Sequence, residues 1–152
     1  MYMQGLEYIT KKKVKDEEVF YTVKWSPLTK VDKFEIIKKV PSVAGIYELF
    51  YENEKKNIIP FFMAWVWYGG LRISLRETTD PILVEDPKRK EVLENKTCLY
   101  RYSILSSVED MQDIFHYLAL QRVPPSRVPE HSGRYLEIYV EELTTDKIFD
   151  LK

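Results

Sequence analysis

Tyr47, Tyr68, Arg72 and Arg76 all fall on one stretch, residues 44–77, which reads AGIYELFYENEKKNIIPFFMAWVWYGGLRISLRE. A tyrosine phenol can relay the proton of an attacking water, and a guanidinium can neutralise charge on a phosphate. Together such groups could handle a phosphodiester. The same residues could equally be core aromatics with a hydroxyl at the rim, and arginines pairing at the surface with Glu77 or Glu48.

Positioning these groups falls to a hairpin followed by a helix. Residues 45–51 have strand composition, 52–57 form a polar turn, and 58–68 form a second strand. That second strand shows little alternation, which predicts burial on both faces and a central place in the sheet. Pro60 is expected to mark its beginning, because proline cannot donate to an interior ladder. Gly69-Gly70 breaks the strand and permits a tight approach of the next segment. Residues 71–77 form a short helix on which Arg72 and Arg76, spaced i and i+4, share one face.

Upstream, residues 7–10 and 17–25 read as strands, with the polar KKKVKDEE between them as a solvated turn. Thr29 or Asp32 caps a short helix whose apolar side is Val31, Phe34, Ile36 and Ile37, and Pro41 ends it. Downstream, two Asp-Pro steps predict an irregular excursion with a helical turn near KEVLE. Residues 97–105 form a strand. Ser106 or Ser107 then caps a helix ending at Pro124-Pro125, with Met111, Ile114, Phe115, Leu118 and Ala119 as its apolar stripe. A loop and a terminal strand at 135–143 follow, with KIFDL extending the sheet. The fold class is α+β: a small mixed or antiparallel sheet flanked by helices, with an extra N-terminal hairpin and C-terminal strand.

Composition narrows the function. The 152 residues suit a single domain, 45% hydrophobic and 31% charged. With a net charge of −1 there is no overall basic excess. A nucleic-acid partner must therefore rest on a local patch, for which Arg72, Arg76, Lys88, Arg89 and Lys90 are the candidates. The single cysteine, Cys98, excludes a disulfide framework and a multi-thiolate metal site, and reads as a small buried hydrophobe. His116 and His131 are too few for a His-rich metal site. The N-terminus has no secretory pattern and the longest apolar run is too short to cross a bilayer, so a cytoplasmic protein without a membrane partner is expected.

The order of hairpin, arginine segment, strand and proline-terminated helix resembles the GIY-YIG nuclease domain over about residues 39–127. The residues carrying the resemblance are VPSVAGIYELF, WYGGLRISLRE and RYSILSSVEDMQDIFHYLALQRVPPSR. Pro41 precedes Gly45-Ile46-Tyr47 as in the family, and Tyr68-Gly69-Gly70 departs from the second tripeptide at its middle position. The resemblance implies metal-assisted phosphodiester hydrolysis, with a tyrosine activating water, an arginine on the phosphate and one glutamate holding the cation. Tyr47 and Tyr68 match the family's tyrosines. Arg76 lies near the expected arginine but offset along the helix, and Arg72 is offset further.

The glutamate position is held by Phe115, which cannot ligate a cation. Asp113 points elsewhere on the helix, and His116, adjacent, suits Zn²⁺ or Mn²⁺ better than Mg²⁺. The resemblance thus implies a catalytically degenerate domain without a metal or other cofactor, binding nucleic acid or another protein. The alternatives are an active endonuclease using Mg²⁺ or Mn²⁺ with a rearranged ligand set (Glu77, Asp113 or His116), and an unrelated α+β interaction module.

Overall fold

In the computed structural model, residues 6–122 and 124–144 are described. The chain is an α+β protein built on two small sheets. Strands β4 (Gly45–Glu52) and β5 (Ile58–Val66) form the expected antiparallel hairpin. With β3 (Thr29–Lys30) and β6 (Cys98–Ile104) they make a four-stranded sheet in the order β3-β6-β4-β5. The strands β1 (Lys11–Lys15), β2 (Glu18–Lys24) and β7 (Glu137–Leu143) make a separate sheet, β1-β2-β7, in which β7 runs parallel to β2. The N-terminal hairpin and the C-terminal strand therefore build a second sheet together. The KIFDL segment lies outside the described residues.

Helices fill the remaining layers. Helices α1 (Lys33–Lys39) and α2 (Gly70–Thr78) cover one face of the four-stranded sheet, where Ile36, Tyr47, Leu49, Leu71, Leu75, Tyr100 and Tyr102 form one core. Helix α4 (Val108–Leu120) lies between the sheets. Its Met111, Ile114 and Leu118 pack with Ile46 of β4 and with Val19, Tyr21 and Val23 of β2 in a second core. Successive strand residues point to opposite faces, so Ile46 serves one core and Tyr47 the other. Among the described residues no helix is long and apolar enough to cross a membrane.

Several local signals act as expected. Asp32 caps α1 by accepting from the Phe34 and Glu35 amides, and Ser107 caps α4 by accepting from Asp110. Gly70, at φ 76°, does make a close approach, but to the loop before β4 and not to the segment that follows: an added Cβ would sit 2.7 Å from the Ser42 carbonyl carbon.

Other expectations are corrected. The lysine-rich KKKVK is strand β1, exposed throughout, and the turn is confined to Asp16-Glu17 with Asp16 at φ 55°. Pairing with β2 outweighs the poor strand propensity of lysine, and at a sheet edge those charges remain solvated. Residues 7–10 contribute only a bridge between Ile9 and Ile104. In α1 only Ile36 is buried, whereas Phe34 and Ile37 are exposed. Helix α3 (Pro87–Asn95) is longer than the expected turn, because Asp86 caps it by accepting from the Arg89 amide and Pro87 suits its first position.

Most consequentially, β5 is an edge strand and β4 is the buried one. Pro60 is the third residue of β5, next to a bulge where the register shifts at Leu49/Phe50. A bulge and an edge are the two settings that spare proline a missing ladder bond. The strand ends at Val66, which leaves Tyr68 in the following turn.

Candidate functional site

Tyr47, Tyr68, Arg72 and Arg76 occupy different environments. Tyr47 is 1% exposed on β4, and its Oη lies 2.7 Å from Ser74 Oγ on α2. Burial pushes its phenol up, and hydrogen bonds with Ser74 and Thr78 offset only part of that, so the group is a neutral phenol at neutral pH. Tyr68 is 88% exposed. Arg72 donates through Nε to the Val40 carbonyl at 2.7 Å, tying α2 to the end of α1. Arg76 is half-buried in the last turn of α2 and forms no ion pair among the described residues.

The remaining candidates divide in the same way. Lys88 is exposed and Lys90 half-buried in the first turn of α3. Between them, the Arg89 guanidinium lies 4.2 Å from the centroid of the Phe62 ring. Glu77 is exposed. His116 Nδ1 lies 2.7 Å from the Pro129 carbonyl oxygen, with the His131 ring edge-on at 4.9 Å. Asp113 does point elsewhere. It is fully buried, and its carboxylate accepts from the Ser132 amide at 2.6 Å, the Ser132 hydroxyl at 2.9 Å and Arg134 at 2.8 Å. Among the described residues no three His, Cys, Asp or Glu side chains are grouped to hold a metal ion.

Phe115 is half-buried and lines a cleft of about 580 Å³ between β5 and the C-terminal half of α4. Phe61, Met63, Phe115 and Ala119 supply its apolar wall, and Arg122 and Arg127 its cations. Glu48, the strand neighbour of Tyr47, lines the same cleft. Tyr47 and Glu48 point to opposite faces of β4, so Tyr47 and Phe115 are separated by the sheet.

The charges at one end of the cleft form a network that the sequence reading missed. Glu48, 1% exposed, accepts from Arg101 at 3.0 Å and from Arg122 Nε at 2.9 Å. Glu142 accepts from Trp25 Nε1 at 2.8 Å and lies 3.6 Å from Arg122. Arg101 also lies over the Trp25 ring at 4.3 Å. Glu48 is therefore no surface partner of Arg72 or Arg76. Burial works against charge on Arg122, but Glu48 and Glu142 outweigh it and raise its pKa above the ordinary value. One signal was present in the sequence: Glu48 and Arg101 are opposite charges in the middle of two strongly apolar strands. Arg127, by contrast, is exposed and forms no ion pair among the described residues.

No curated protein and no solved structure matches the chain. Residues 8–152 match the model of a family described as "Uncharacterised protein", and the chain belongs to that family.

Proposed function

We propose that this is a catalytically degenerate GIY-YIG-like domain that works as a protein-binding module, holding a partner segment in the cleft between β5 and α4. The observation that carries the reading is the surroundings of Phe115. Where the resemblance calls for a metal ligand, the side chain instead lines an apolar cleft with Met63 and Glu48, cross-strand neighbours that alternation sets on the face opposite Tyr47. The order of β4, β5, α2, α3, β6 and α4 agrees with the resemblance, which supports a retained scaffold.

The cleft fits a bulky apolar side chain adjacent to a carboxylate. The apolar wall would bury the first, and Arg127, free of ion pairs among the described residues, would face the second. Arg122 is already engaged by Glu48 and contributes mainly shape. Two of the cations expected to grip phosphates, Arg72 and Arg89, are engaged inside the domain, which favours a protein partner over nucleic acid.

Selection of displayed random peptides against the folded chain tests the proposal. Enrichment of Phe, Trp or Leu beside Asp or Glu is expected, with binding lost in Phe115→Ser and Arg127→Glu. Steeply salt-dependent retention on single-stranded DNA or RNA, with no peptide enriched, would overturn it in favour of a nucleic-acid module. Cleavage of plasmid or single-stranded DNA with Mg²⁺ or Mn²⁺, abolished by Tyr47→Phe, would overturn the degenerate reading.

A further inference from the structure

Unpaired backbone at a sheet edge is a template for another strand, and folded proteins usually blunt it with charge, proline or brevity. Among the described residues the two sheets have four edge strands, and three of them are blunted. Strand β1 carries Lys11, Lys12, Lys13 and Lys15, strand β7 carries Glu137, Glu141 and Glu142, and β3 is two residues long. The fourth, β5, is nine residues of IIPFFMAWV without a charge. Only Pro60 interrupts it, leaving residues 61–66 unpaired along one side among the described residues. The same run carried the sequence signature of a central strand.

We infer that β5 pairs antiparallel with β5 of a second copy about a two-fold axis between Met63 and Ala64. That register sets Met63 opposite Ala64, Phe62 opposite Trp65 and Phe61 opposite Val66 of the second copy. Continuing outward, Pro60 faces Trp67 and Ile59 faces Tyr68. Trp65, Trp67 and Tyr68 are 38%, 41% and 88% exposed. The two-fold provides each with an apolar or aromatic neighbour and sets no charge against a like charge, which makes the segment self-complementary. The mismatch between an interior-type sequence and an edge position is thereby resolved: β5 is central in the dimer.

Six paired residues and three rings make a contact at the small end of specific interfaces, so a reversible monomer–dimer equilibrium is expected. The pairing uses the edge of β5, whose residues 60–63 also line the proposed cleft, and it is read from oligomeric state and not from peptide binding, so the failure of one is distinguishable from that of the other.

Sedimentation equilibrium of the full chain, combined with amide hydrogen exchange at low and high protein concentration, tests the inference. A monomer–dimer equilibrium is expected, with exchange at residues 61–66 slowing as concentration rises. Trp65→Lys should weaken dimerisation by about tenfold or more with an unchanged melting curve. Should that variant fail to fold, Trp67→Lys, beyond the end of the strand, serves in its place. A monomer at every concentration, a dimer whose 61–66 amides exchange independently of concentration, or a folded lysine variant of undiminished affinity would each overturn the proposal.

Discussion

Glu48 and Arg101 face one another across β4 and β6, paired in register, with the carboxylate 3.0 Å from the guanidinium and both side chains almost wholly enclosed. Arg122 closes on the same carboxylate from the end of α4, and Glu142 brings in the second sheet. One acidic group thus links the two sheets and the helix between them. Removing it leaves two cations near a low-dielectric core with half their counter-charge. Glu48→Ala is expected to cost about 3–5 kcal/mol in urea unfolding. Arg122→Ala, whose side chain is partly solvated, should cost less.

Asp113 holds the loop before β7 against α4 through two bonds from Ser132 and one from Arg134. Asp113→Leu keeps the bulk but leaves these donors unmatched. A loss of about 2–3 kcal/mol is expected. Faster amide exchange at Ser132, before global unfolding, is the accompanying measurement.

Asp110 gives stability a pH dependence. Burial raises its pKa, but hydrogen bonds from Tyr21, Lys12 and Arg134 together outweigh that and lower it below the ordinary 3.8. A carboxylate with a depressed folded pKa stabilises fully above its unfolded value, and the contribution is lost as pH falls through the folded one. Asp110→Asn should therefore be less stable than the parent at neutral pH, with the difference shrinking below about pH 4. Equal destabilisation at neutral and acid pH would contradict the assignment.

Cys98 is buried at the start of β6, and burial pushes its thiol up to about 11. Only a small fraction is thiolate near neutral pH, so the folded chain should react with a thiol reagent far more slowly than the chain in urea. Comparable rates in the two states would show that the site opens freely.

Tyr47→Phe removes only the hydroxyl that meets Ser74 and leaves the ring packed against Phe62. The expected effect is about 1 kcal/mol of stability, with peptide binding at the cleft unchanged, because the ring keeps its place against Phe62, which lines the cleft, and only the hydroxyl at Ser74 is lost. Loss of peptide binding in the folded variant would show that the two faces are coupled.

What the sequence determined by itself was local. Asp32 and Ser107 start their helices because their side chains satisfy free amides, and the polar run after Glu52 turns the chain between β4 and β5. The apolar periodicity of α4 named Met111, Ile114 and Leu118 as core. Each of these depends on neighbours a few residues away. The tertiary structure decided the rest. The lysines of β1 became a strand only because β2 lies beside them, and an uncharged run such as β5 does not reveal which neighbours it will meet. Strand alternation separates Tyr47 from Glu48 in any fold, but which helix covers which face depends on how distant segments pack. That packing set Tyr47 against Ser74, left Phe115 in a cleft across the sheet, and closed Arg122 on Glu48 from 74 residues away.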